Sequence, residues 1–185
     1  MRGQAHECLR QKTRGLHEQL DGGLDLTVLG TRHGYTAFLE MNWACACIEM
    51  ALEEARIHRI LPDWDRRRRR FALEADFKVL GRIRPSVQVP QLADDAGTLL
   101  GWSYVLEGSR FGARVVLRAI LTSADLQLAD ATQFLRHGVG SVFWESFKSV
   151  LATIDDQPQA IQNASVGAQS AFACYIARRS MFSAA

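Results

Sequence analysis

Gly101-Trp-Ser-Tyr-Val-Leu-Glu-Gly-Ser-Arg-Phe-Gly-Ala-Arg114 opens an apolar pattern that continues through Val115, Val116, Leu117 and Ile120. The pattern predicts a helix, yet Gly108 and Gly112 stand about one turn apart within it, and each glycine costs a helix about 1 kcal/mol relative to alanine. A missing side chain lets another backbone or a flat ligand come close, and such a turn is also a place where helices kink. Spacing alone leaves helix packing and a ligand platform equally open.

Around this segment the chain reads as helices. Pro62, Pro85, Pro90 and Pro158 are the only prolines, so long stretches lack the residue that most reliably breaks a helix. A first helix is expected over about Ala5 to Leu20, with Leu9, Thr13, Leu16 and Leu20 at helical spacing and Gly22-Gly23 as its stop. A second runs from near Thr31 to about His58, apolar around much of its circumference and so buried against several neighbours. Asp63 is the expected N-cap of a third, in which Leu73, Phe77 and Leu80 form the core stripe until Gly81. Arg82 to Leu92 reads as a loop, with the only hint of strand at Ser86 to Val89. Helices follow over about Asp94 to Thr122, from Ala124 or Asp125, over Ser141 to Ile154 after a break at Gly138 and Gly140, and from Pro158 to near Arg179.

On the first helix, Arg10, Arg14, His17 and Asp21 recur at intervals of four, three and four, so they share one stripe beside the apolar one. An imidazole binds haem iron through one ring nitrogen, and the other then needs an acceptor to set its tautomer; Asp21, one turn on, is placed to provide it. The two arginines are placed to meet propionate carboxylates. A histidine beside an i+4 acid on an exposed face is the plainer account of the same spacing.

The chain has 185 residues, 48% of them hydrophobic, enough for one core, and a single domain over residues 1–185 is expected. Lys+Arg 22 against Asp+Glu 20 leaves +2, which gives no argument for nucleic acid. Cys8, Cys45, Cys47 and Cys174 show no CxxC spacing, consistent with reduced thiols in a cytoplasmic protein. The N-terminus lacks a signal-peptide apolar stretch, and no run of about 18 apolar residues suggests a membrane span.

Tyr104-Val, then Glu107-Gly-Ser109 and Gly112-Ala113, resembles the distal-helix signature of bacterial heme oxygenases. Leu9-Arg-Gln-Lys-Thr-Arg-Gly-Leu-His-Glu-Gln-Leu-Asp21 is similar to the proximal-helix signature of the same family. Two motifs in the right order, about ninety residues apart, are far more specific than either alone. Weaker similarity covers Ala75-Asp76-Phe77 with Leu80-Gly81, and Phe143-Trp144 with Phe147. The resemblance is closest to the biliverdin-producing type associated with bacteriophytochromes. It implies an all-α helical bundle with haem b sandwiched between proximal and distal helices. His17 matches the iron ligand; Gly108, Ser109 and Gly112 match the catalytic distal stretch; Arg10, Thr13, Arg14, Tyr104, Ala113 and Phe172 fall at cofactor-binding positions. Where the animal-type pattern has a distal aspartate, this chain has Ser109, and the late basic residues of the propionate clamp have no clear counterpart around Ser141 to Glu145.

The implied activity is oxidative cleavage of haem, both cofactor and substrate, to biliverdin, carbon monoxide and ferrous iron. It requires dioxygen and electrons from an external donor such as a ferredoxin or a flavoprotein reductase. The departures keep open a haem sensor or carrier without turnover, and a helical module that binds no haem is the reading from another class. Arg66 to Arg70 forms a run of five arginines pointing around most of a helix, which suggests a solvated helix end, or else a docking patch for an acidic electron donor. His6, His33, His58 and His137 lack metal-ligand spacing and read as surface or capping residues.

Overall fold

A computed structural model of the chain describes residues 3–22, 25–86 and 88–183, and every regular element among them is a helix. These are α1 (Gln4–Asp21), α2 (Leu26–Leu29), α3 (Arg32–Glu54), α4 (Trp64–Arg67), α5 (Arg70–Val79), α6 (Ala96–Leu121), α7 (Leu126–Asp130), α8 (Gln133–Arg136), α9 (Phe143–Leu151) and α10 (Pro158–Ser183), with 3-10 turns at Ile57–Arg59 and Ala152–Ile154. The all-α reading holds. The strand hint at Ser86 to Val89 includes Val87, which lies outside the described residues, as does Gly23 of the expected helix stop.

The expected helix ends are set by caps. Thr31 accepts from the Gly34 N–H, Asp95 from that of Thr98 and Asp125 from that of Gln127, each satisfying an amide that the helix itself leaves free. The short α2 was not expected; Asp25 nucleates it by accepting from Thr27 and Val28. As its pattern predicts, α3 is buried on nearly all sides and packs against α2, α5, α6 and α10.

The two longest helices, α6 and α10, run side by side in the same direction. A side chain at Gly97 would overlap the Ala160 backbone, and one at Gly101 would overlap the Ala164 carbonyl; one at Gly167 of α10 would crowd the Thr98 carbonyl and the Trp102 ring less severely. With Ala164, Ala168 and Ala171 fully buried beside them, the two backbones meet almost without intervening side chains. Against α10 lies α1, tied at its C-terminal end by Arg179, which donates to the carbonyls of Gln19 and Leu20 at 2.8 and 2.9 Å.

The arginine run is neither a solvated helix end nor a uniform docking patch. Instead of one helix from Asp63, the chain breaks at Arg68, whose ψ of 134° ends α4 before α5 begins at Arg70. The break turns Arg67 and Arg69 inward, to 2% and 1% exposure, while Arg68 and Arg70 pair with Glu53 at 3.3 and 2.6 Å. Asp63 caps no amide; its carboxylate takes two hydrogen bonds from Arg67. The first amides of α5 are instead met by Glu49 of α3, which accepts from the N–H groups of Arg69 and Arg70 at 2.7 and 3.0 Å. A carboxylate at a helix N-terminus is favoured by the helix dipole, and here that preference decides where α5 starts.

The N-terminal end of α1 is held by Asp155, whose two oxygens accept from Gly3 and Ala5 at 2.6 and 2.8 Å. Burial works against the charged form, but the N–H groups of Ala5 and Gly3 outweigh it and hold this carboxyl below the usual aspartate range. A lowered folded pKa contributes stability that is complete above the unfolded value and is lost as pH falls through the folded one. Asp155→Ala should therefore cost about 1 kcal/mol near neutral pH, and the gap to wild type in thermal denaturation should close below about pH 4.

Candidate active site

Between α1 and the second half of α6 opens a cleft of about 430 Å³, within the usual range for small-molecule sites. From α3, Phe38, Met41 and Asn42 line it; Phe172 and Tyr175 come from α10 and Trp144 from α9. Most of the lining is apolar.

His17 lines one wall from α1, with its side chain 60% exposed. Its Nδ1 lies 2.9 Å from Asp21 Oδ2, one turn on, as the stripe predicts. With Nδ1–H donated to that carboxylate, Nε2 carries the lone pair available to a metal. Phe172 meets the ring edge-on at a centroid distance of 5.8 Å and limits its rotation.

Opposite stand Gly108 and Gly112. Here the two roles left open by glycine spacing separate. A side chain at Gly101 collides with α10, whereas one at Gly108 or Gly112 would meet nothing within 4 Å, because both face the cleft. Helix α6 continues through them in the α conformation, so they neither end the helix nor form a packing seam. Ser109 and Ala113 line the same wall, and Tyr104 closes one side, with its ring 5.9 Å from that of Trp144.

The structure thus brings His17, Tyr104, Gly108, Ser109, Gly112, Ala113 and Phe172 together around one space. It does not bring Arg10, Thr13 or Arg14 to that lining. Arg10 is paired with Glu7 through two hydrogen bonds, Arg14 with Glu18 at 2.9 Å, all on the exposed side of α1. Thr13 is buried and donates to the Leu9 carbonyl within its own helix.

Sequence reading missed Tyr175, Trp144, Phe111 and the α3 contribution of Phe38, Met41 and Asn42. Tyr175 follows Phe172 by three residues and so shares its helix face, a signal that was available. Asn42, a polar residue inside an otherwise apolar run, was a second; its Nδ2 donates to the Phe38 carbonyl. The acids of the lining reduce to Asp21, on the His17 side; the glycine wall carries no carboxylate among the described residues.

A family model described as heme oxygenase matches residues 4–180. A protein named heme oxygenase from Xanthomonas campestris pv. campestris (strain 8004) is 34% identical over 111 residues, which is 60% of this chain and 66% of that relative, just under two thirds of its length. The fold is similar to that of the heme oxygenase from Neisseria meningitidis, solved with NO and CO bound, at a TM-score of 0.72 and 21% identity, covering 97% of this chain and 92% of the other.

The two kinds of glycine in α6 should respond oppositely to the same change. Gly112→Ala is expected to raise the thermal stability of the ligand-free protein, by up to about 1 kcal/mol. Gly101→Ala should lower it by about 1–3 kcal/mol through overpacking, as thermal or urea denaturation will read.

Proposed function

The chain belongs to the heme oxygenase family, and on that premise we propose that it cleaves haem oxidatively to biliverdin, carbon monoxide and ferrous iron. We take residues 1–185 to form one domain of that family, using dioxygen and electrons from an external donor. The single observation that carries the reading is the pairing of walls: an imidazole with a free nitrogen on one side, and two glycines facing open space on the other.

The residues present fit a porphyrin. A largely apolar cleft suits its faces, and the missing side chains at Gly108 and Gly112 leave room that a Cβ would take. His17 would hold the iron through Nε2, with Asp21 fixing the tautomer, and Phe172 would keep the ring in place. When bound, haem supplies both the iron that activates dioxygen and the ring carbon that is oxidised. The protein's part is to orient the macrocycle, exclude bulk water with Phe38, Met41 and Trp144, and present hydroxyls rather than a strong acid on the glycine wall. The described lining of that wall offers the Ser109 hydroxyl, with Tyr104 and Tyr175 nearby, and no carboxylate.

Arg10 and Arg14 are candidates for the propionates by leaving Glu7 and Glu18, since exposed ion pairs of this kind are weak and exchange readily. The burial of Arg67 and Arg69 removes the arginine run as a continuous docking surface, so the donor is assigned by class alone, a ferredoxin or a flavoprotein reductase. No helix among the described residues is long and apolar enough to cross a membrane.

Stoichiometric haemin should give a Soret band, lost or strongly altered in His17→Ala. Reductant added under air should then replace the Soret band with a bile-pigment spectrum. A haem carrier would keep its ring intact in the second step, and a protein of another class would show no Soret shift in the first.

A further inference from the structure

Three guanidinium groups lie inside the fold next to the cleft, Arg67, Arg69 and Arg110, each less than one-tenth exposed. Two carboxylates, Glu49 and Glu107, are buried with them, and Asp63 reaches Arg67 from the solvent side. Glu107 serves Arg67 and Arg110, at 3.3 and 3.1 Å. Glu49 is turned to the backbone N–H groups of Arg69 and Arg70. Among the described residues, the guanidinium of Arg69 therefore has no carboxylate partner within 4 Å. Its Nη2 donates to the Leu106 carbonyl at 3.1 Å and to Ser109 Oγ at 2.5 Å, the group lies over the Phe134 ring at 4.7 Å, and its Nε has no hydrogen-bond partner.

Burial disfavours the Arg69 charge, and Glu49 and Glu107 support it only from beyond ion-pair distance. The neighbouring Cys45 thiol and Tyr175 phenol do not supply the charge, since burial drives both well above their ordinary ranges and keeps them neutral. Arg69 reaches the cleft lining through its hydrogen bond to Ser109 and lies near Tyr175, a second lining residue. Ser109 Oγ accepts from Arg69, and its single O–H, which here lies on the Leu106 carbonyl, is the one proton it can turn toward a ligand. Beside it the Tyr175 hydroxyl is buried in the same lining, near enough to Ser109 to interact with it, and meets no acceptor in good hydrogen-bond geometry. The Ser109 and Tyr175 hydroxyls thus adjoin in the cleft lining, and among the described residues no carboxylate lines that wall.

We propose that Arg69, acting through Ser109 and with Tyr175 as a second donor, makes the ligand position across from His17 selective for an anion over a neutral molecule. The inference rests on the reading that haem occupies the cleft. An anion there adds a nearer counter-charge to those that Glu49 and Glu107 supply from a distance, in a setting where low dielectric strengthens the attraction; a neutral ligand adds none. Ser109 stands where the animal-type pattern has an aspartate, so this chain places a cation behind a hydroxyl where that pattern places an anion. Arg69 is a positioning residue, since it reaches the ligand through another group.

The test titrates the ferric haem complexes of wild type, Arg69→Met, Arg69→Lys, Ser109→Ala and Tyr175→Phe with azide, fluoride and imidazole near neutral pH, read from the optical spectrum. Azide and fluoride affinities should fall about tenfold or more in Arg69→Met and a few-fold in Ser109→Ala and Tyr175→Phe, with imidazole changed less than about threefold; tenfold corresponds to about 1.4 kcal/mol. Arg69→Lys should stay near wild type. Anion affinities unchanged in Arg69→Met, or in Ser109→Ala should Arg69→Met not fold, overturn the proposal, as does a lysine variant that loses as much as methionine. In each of those outcomes the Soret band is still present. A wild-type protein with no Soret band overturns the haem reading, and this inference with it.

Discussion

The contact of Gly97 and Gly101 with the backbone of Ala160 and Ala164 sets the distance between the two longest helices. With that seam closed, the same two helices carry Gly108 to Gly112 and Phe172 to Tyr175 onward as adjoining walls of the cleft. Because α1 lies on α10 and is tied at both ends, by Asp155 and by Arg179, the His17 ring is held across from those glycines by contacts remote from it. Loss of the seam would displace both walls together. The site is thus a consequence of helix packing upstream of it.

A second constraint comes from charge. Interior arginines are costly unless each finds partners, and the break between α4 and α5 exists where it satisfies them: Arg67 on Asp63, Glu107, Ser146 and the Phe143 carbonyl, and Arg110 on Glu107 and the Arg67 carbonyl. His137 accepts its place in this cluster as a neutral ring. Burial and the nearby Arg110 push its pKa down to about 4. Arg69, which among the described residues has no carboxylate within ion-pair distance, is also the one that touches the cleft wall. Structural and functional roles meet in this residue, since the same burial that makes its charge expensive makes it effective on a ligand.

Most of the helical order was legible because caps and stops are local. Thr31, Asp95 and Asp125 act on amides two or three residues away, so their effect can be read without knowing the fold. The His17 and Asp21 pair was legible for the same reason, one helical turn being a fixed distance. The arginine run misled because Glu49, twenty residues earlier, decides where α5 begins and which arginines turn inward. The stripe of Arg10 and Arg14 was legible as spacing, but not their present partners, Glu7 and Glu18, the nearer acids on the same helix.

By itself the sequence determined the class of fold, the helix that bears the imidazole, and the family signature around Gly108 to Ala113. All of these depend on contacts within about one helical turn or on residue identity. Only the tertiary structure decided which glycines pack and which face open space, which arginines are buried, and which aromatic residues close the cleft. The reason is physical: a missing side chain looks the same in every glycine, and a guanidinium the same in every arginine, until a second helix arrives to fill the space beside it or leave it open.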